Sequence, residues 1–343
     1  MKTLSKLIGL ALLLVVFSCE SKSDTAGIPK PQATGKVGEI LVIIDNTDWS
    51  SEIGDTIRAI FETPYPMLPQ TESSFKLLHI ANSSFLPVMQ KHRNILLISM
   101  SDEFTEAKLT ISRDLWSQPQ IVLNALGSNA SDIANILDKR RETMMALYEQ
   151  AEIDRQTKSA ERYSDKTIKQ AIKERFNINL DVPVGYNVIG RDVGFMCMES
   201  QTKHNSVGII IYSYPFVDDS TFTLNYLVNK RDSILKEKFH GTRDSSWMTT
   251  TKYIMPQLEI KKFRGLEYGE MRGLWELVND YMGGPFVSRS YINRKTGYIV
   301  TVEGYVYAPR FDKRDYLRGV LGIVNTFSLD DDETPSNETP STE

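Results

Sequence analysis

The sequence predicts an α+β fold: an N-terminal α/β domain, a long connecting helix, and a C-terminal antiparallel sheet flanked by helices. Three observations carry this. Short apolar runs alternate with helical stripes over residues 36–150. A helical pattern with charged faces fills 151–178. Residues 179–329 are rich in strand-length runs and close on one amphipathic helix.

In the first domain, Ile40-Leu41-Val42-Ile43-Ile44 is a short apolar run suited to a buried strand. Ile53, Ile57, Ile60 and Phe61 recur at helical spacing, and Pro64 and Pro66 stop that helix. Phe75–Ile80, Ile95–Met100 and Gln120–Leu126 read as further strands, with a short helical turn over Ser84–Gln90. The alternation points to an α/β layer without fixing whether its strands run parallel.

Ser131 is placed to cap a helix whose stripe runs through Ile133, Leu137, Met144, Tyr148 and Ala151. From Glu152 to Lys166 charges replace the stripe, which predicts a solvated connector. Beyond it, Asn177–Val184, Tyr186–Ile189, Gly194–Glu199 and Ser206–Tyr214 read as strands, followed by a helix through Leu224–Leu235. Leu258–Phe263, Glu267–Val278, Phe286–Ile292 and Tyr298–Tyr307 are further strand candidates. Asn293–Gly297 has the length and composition of a hairpin loop, with Gly297 suited to a left-handed backbone. A closing helix is expected over Lys313–Phe327.

Met1–Ser18 reads as a secretory signal: Lys2 and Lys6 precede a short apolar run, Leu7–Phe17. The run is shorter than the ~20 residues a spanning helix needs. It ends in Val16-Phe17-Ser18-Cys19, which resembles the bacterial lipobox and makes Cys19 the expected lipidation site, with palmitate among its acyl chains. Residues 19–35 are polar with Pro29 and Pro31, a lipidated tether whose flexible span is roughly 20–25 Å. The expected location is the cell envelope, with the outer membrane foremost. Cys197, the other cysteine, lies in the apolar run Phe195–Met198 with no basic neighbour, so a buried structural thiol is expected.

The formal net charge is −4. Residues 330–343 hold six acids and no base, and read as a disordered acidic tail. The remaining body is near neutral, which argues against nucleic acid as a partner. P-loop, dinucleotide-glycine and HExxH patterns are absent, as is Gly-x-Ser-x-Gly. His79, His92, His204 and His240 are scattered without ligand spacing, so no metal and no cofactor are expected.

Arg272-Gly273-Leu274-Trp275-Glu276 is followed by Asp280-Tyr281-Met282-Gly283-Gly284-Pro285-Phe286, then Glu303-Gly304-Tyr305-Val306-Tyr307-Ala308-Pro309 and Lys313-Arg314. With the lipobox-like start, these resemble the Bacteroidota lipoproteins grouped as domain of unknown function 4837, over most of the mature chain. That resemblance implies an envelope location and no particular activity. The order of strands, helix, strands and closing helix is also similar to the PsbP-like fold, whose members mostly bind partners.

Arg272, Trp275, Glu276, Asp280, Glu303, Tyr305 and Tyr307 form the candidate binding group. In the 298–307 strand, Val300, Val302 and Val306 face one way; Glu303, Tyr305 and Tyr307 face the other, where Glu303 is expected to approach Arg272. Such a group is either an ion pair under aromatic cover or a shallow anion pocket. Gly283-Gly284-Pro285 is expected to make a tight turn. No catalytic residue is assigned. The expected function is a non-enzymatic binding or assembly module with an envelope protein or glycan partner. The alternatives are an envelope hydrolase using Glu276, Asp280 or Glu303, and a carrier of a small apolar ligand.

Overall fold

The computed structural model describes residues 29–263 and 265–329. Cys19, the signal segment and the acidic tail lie outside the described residues. The N-terminal domain contains β1 (Glu39–Ile43), α1 (Asn46–Trp49), α2 (Glu52–Phe61), β2 (Lys76–Ile80), β3 (Asn94–Met100), β4 (Lys108–Arg113), β5 (Ile121–Gly127) and α3 (Ala130–Lys139). Its sheet has the order β2-β1-β3-β5-β4, with the first three pairings parallel and β4 antiparallel at the edge. β4 has no continuous apolar run because it is an edge strand, largely exposed, and so reads as loop in sequence. Pairing starts ahead of β1. Gln118 N–H donates to Pro31 O (2.9 Å) and Thr34 N–H to Lys91 O (2.8 Å), so residues read as the end of the tether are bonded to the body.

α4 (Arg141–Arg162) and α5 (Lys166–Phe176) follow. The charged middle of α4 is not the solvated connector its composition predicts. Glu152 is fully buried and accepts bonds from Asn94 Nδ2 (2.7 Å), Arg93 Nη1 (3.0 Å) and Arg155 Nη1 (3.0 Å), while Thr157 and Ala160 are buried beyond it. A buried carboxylate tolerates its desolvation when cations and donors surround it in this way.

The C-terminal domain adds β6 (Ile178–Asn179), β7 (Asn187–Asp192), β8 (Phe195–Gln201), β9 (Ser206–Pro215), α6 (Leu224–Lys238), β10 (Met248–Thr250), β11 (Gln257–Phe263), β12 (Leu266–Leu277), β13 (Gly283–Asn293), β14 (Tyr298–Tyr307), α7 (Arg314–Val324) and β15 (Ser328–Leu329). Its antiparallel sheet runs β10-β12-β13-β14-β9-β8-β7, with β11 also on the outer edge of β12. The fold is therefore α+β. Asn177–Val184, expected as a strand, contributes only the two residues of β6, paired with β15.

Each face of this sheet holds a core. One joins Val287, Val300, Val302 and Val306 to Val320, Leu321 and Val324 of α7, and reaches Ile153 and Ala160 of α4 and Tyr65 of the first domain. The other joins Ile210, Met271, Trp275, Phe286 and Tyr305 to Leu227 and Leu235 of α6. α4 and α7 pack so closely that a Cβ on Gly322 would lie 2.4 Å from Gln156 Cβ. Glu72 of the first domain accepts from Lys313 N–H and Arg314 N–H (2.8 and 2.9 Å), giving α7 an N-terminal acidic cap from another domain.

Candidate functional site

The charged members of the candidate group do not converge, whereas its aromatics Trp275, Tyr305 and Tyr307 do. The alternation read for β14 holds: Val300, Val302 and Val306 enter the α7-side core, whereas Tyr305 lies in the α6-side core. Met271 and Trp275 of β12 share the α6 side. Arg272, one residue from Met271, therefore faces the α7 side and is separated from Glu303 by the sheet.

Glu303 is met by Arg231 of α6, which donates through Nε (2.8 Å) and Nη2 (2.7 Å). Both side chains are fully buried. Arg231 Nη1 also donates to Thr250 Oγ1 (2.9 Å), and its guanidinium lies 4.0 Å from the Phe286 ring centroid. Burial pushes the Glu303 carboxyl up and the guanidinium opposes that rise. At Arg231 burial acts downward, but the carboxylate outweighs it and the guanidinium is held protonated. Two short N–H···O contacts, one to each oxygen, identify the pair as ionised.

Arg272 instead bonds Glu270, with Nη2 2.9 Å and Nε 3.0 Å from Oε1. Arg289 Nε (2.9 Å) and Lys261 Nζ (2.8 Å) reach the same carboxylate. Burial works against charge on Glu270, yet Arg272, Arg289 and Lys261 outweigh it and hold its pKa at about 2. Arg289 continues to Asn325, just past α7 (3.0 Å), whose amide donates to Thr157 of α4 (3.1 Å).

Trp275 and Tyr305 are core residues in edge-on contact at 5.6 Å; the indole N–H faces Val306 O at 3.3 Å and the phenol donates to Glu199 at 2.7 Å. Tyr307 stands 6.4 Å from Trp275. Glu276 is half-buried on β12, opposite Thr249 and Gly283. Asp280 lies 3.7 Å from Arg243 at the end of the sheet, beside the exposed Tyr281. The three carboxylates read as a hydrolytic set are thus distributed over separate environments.

Gly283-Gly284-Pro285 is not a turn. It begins β13, and neither glycine has positive φ. The glycines are there for close approach: a Cβ on Gly284 would sit 2.0 Å from Val306 O, and one on Gly283 2.8 Å from Trp275 O. Gly208 likewise faces Tyr305 across β9 and β14, where a Cβ would fall 2.1 Å from the ring. Gly297, by contrast, takes the expected left-handed backbone, φ 71°.

Cys197 is buried in strand β8, where burial pushes its thiol up, consistent with the structural role expected of it. His92 is buried as well, with Nδ1 2.9 Å from Asn94 O. Among the described residues no group of three His, Cys, Asp or Glu is placed to hold a metal ion.

A cleft lies elsewhere, at the end of the sheet. β12 and β13 pair from Glu276–Gly283 to Tyr268–Tyr291, and beyond Tyr268 the two hairpin ends bound a cavity of about 730 Å³. Ile260, Tyr268 and Ile292 give it apolar wall. Lys262, Arg294 and Lys295 bring positive charge to its lining, and Asp219 and Glu267 bring negative charge. The cleft has no local signature in sequence, because its lining joins the β11–β12 and β13–β14 hairpin ends to Asn177 after α5, Asp219 and Phe222 before α6, and Leu329 of β15.

Comparison with known proteins divides the chain at the same place as its helices. A profile described as Domain of unknown function (DUF4837) matches residues 165–326. A second, Domain of unknown function (DUF8532), matches residues 33–161. The family likeness expected over most of the mature chain is thus carried by the C-terminal domain, and the N-terminal domain matches a different family. No curated protein matches. Among solved structures, the Ran-binding protein Mog1p of Saccharomyces cerevisiae is 13% identical, covers 45% of this chain and 91% of its own, and has a TM-score of 0.32. A mutant of protein Mog1 is 11% identical, covers 46% and 92%, and has a TM-score of 0.32.

Proposed function

We propose that this chain, whose C-terminal domain belongs to the family of unknown function 4837, is an exported, lipid-anchored binding module of the cell envelope. Its ligand is a polypeptide segment of a partner, held in the cleft between the two hairpin ends, and it does no chemistry on that segment. The cleft is the observation that carries this reading. Its ~730 Å³ falls in the range of ligand-binding cavities, and it combines apolar wall with charges of both signs. A mixed rim suits a peptide carrying its own acids and bases better than a uniformly charged polymer. The anchor rests on the lipobox-like Val16–Cys19 sequence.

The hydrolase alternative loses support because Glu303 is committed to Arg231 and Asp280 lies beside Arg243. A general acid or base needs a proton-transfer partner within reach, and Glu303 has its oxygens occupied and no solvent access. A photo-crosslinking residue at Ile260 of the full chain, in living cells, tests the reading. It is expected to give one recurrent adduct that disappears with Lys262→Glu plus Arg294→Glu and is not formed from exposed Ile189. An adduct pattern identical at Ile260 and Ile189 would overturn it.

A further inference from the structure

The two faces of the N-terminal sheet are covered differently. α2, α3 and α4 pack on the side of Ile40, Val42 and Leu96. Over Leu41, Ile43, Ile95 and Val122 the cover includes Phe85 and Trp116, which meet edge-on at 5.5 Å. Phe85 belongs to the segment that returns from β2 to β3 across this face, and the residues after it point outward. Leu86 is 58%, Val88 62% and Met89 41% exposed, and Leu115 beside Trp116 is 45% exposed.

This apolar patch lies where the chain enters the body. Thr34 N–H donates to Lys91 O, Ala33 N–H to Gln118 O (3.0 Å), and Ser117 Oγ to Lys91 O (3.0 Å). These bonds fix the entering chain, the Met89–Lys91 turn and the Leu115–Gln118 loop at one pole. Lys30 and Lys91 are exposed beside it. Lys30 Nζ bonds Asp114 O, and the Asp114 carboxylate is occupied by Gln120 N–H at 2.7 Å.

We infer that this pole is a membrane-contact surface: Leu86, Val88 and Met89 insert among the headgroups of an anionic bilayer, with Lys30 and Lys91 against its phosphates. Apolar side chains flanked by cations are the pattern that binds such interfaces. The occupant follows from chain length. If Cys19 carries lipid, Pro31 lies twelve residues on, a distance of at most ~40 Å in any conformation. The pole is tied to the bilayer while the cleft belongs to the other domain. The inference rests on the lipid-anchor reading of Cys19.

A Val88→Cys chain carrying an environment-sensitive dye tests it, since Cys197 is buried and does not compete for label. The acylated full chain is reconstituted in phosphatidylethanolamine–phosphatidylglycerol vesicles containing nitroxide lipid. Val193→Cys, 89% exposed in the other domain, is the reference. The expected result is a blue shift at position 88 and more than about threefold stronger quenching than at 193, abolished by Leu86→Asp plus Met89→Asp. Equal quenching at both positions, in a chain that floats with the vesicles, overturns the inference and leaves the anchor standing. If the chain is not acylated, the anchor reading fails, and a Cys19→Ser full chain decides the inference alone. Vesicle binding that Leu86→Asp plus Met89→Asp reduces severalfold upholds it; no binding overturns it.

Discussion

Arg231 and Glu303, 72 residues apart in sequence, form a bidentate ion pair that is wholly buried between α6 and the C-terminal sheet. Removing one partner strands the other charge in an apolar core. Arg231→Met is expected to destabilise the protein by about 3–5 kcal/mol in urea unfolding. Arg231→Met with Glu303→Leu is expected to cost clearly less than the single change. If the double variant is the less stable, the pair contributes more than its desolvation costs.

Glu270 gives the acid limb of stability. Its folded pKa, about 2, is depressed from an ordinary 4.5 by three cations, so the stabilisation is present above pH 4.5 and is lost as pH falls toward 2. About 3 kcal/mol is expected to disappear over that window. Glu270→Gln flattens the fall, measured by unfolding at a series of pH values. An unchanged slope contradicts the assignment.

Two glycines make opposite predictions. Gly284→Ala drives a methyl into Val306 O and is expected to cost at least about 1–3 kcal/mol. Gly319 of α7 has nothing within 4 Å of an added Cβ, so Gly319→Ala is expected to raise stability by up to about 1 kcal/mol. Thermal unfolding of both separates close approach from helix propensity.

The domains are joined by charge as well as packing. Glu72 caps α7, and Arg318 of α7 bonds Glu149 of α4 (2.6 Å) and Ser74 O (2.7 Å). One cooperative transition is expected for the intact chain. Glu72→Ala with Arg318→Met is expected to remove about 2–4 kcal/mol and split the transition in two by calorimetry.

Much of this architecture was legible from local pattern. The two-residue period of β14 put Val300, Val302 and Val306 on one face, and Gly297 marked its hairpin. Cys197 lay in an apolar strand with no base nearby, and burial in β8 agrees. What local pattern cannot hold is partner choice. Strand membership alone pairs Glu303 with Arg272, but the parity of β12 sends Arg272 to the other face, and the true partner, Arg231, comes from a helix position with no marker in sequence. Gly283-Gly284 suggests a turn because glycine signals both positive φ and lack of room; here only the second applies. The cleft is hidden for the same reason as the ion pair: residues far apart in sequence meet there only through tertiary packing.

The proposed anchor is Cys19, and the mass of the mature N-terminal peptide from membrane-extracted protein decides whether it carries lipid. The predicted result is a chain beginning at Cys19 with a diacylglyceryl thioether, converted to soluble protein by Cys19→Ser. An N-terminus elsewhere, or an unmodified Cys19 in a chain that still sediments with membrane, would contradict it.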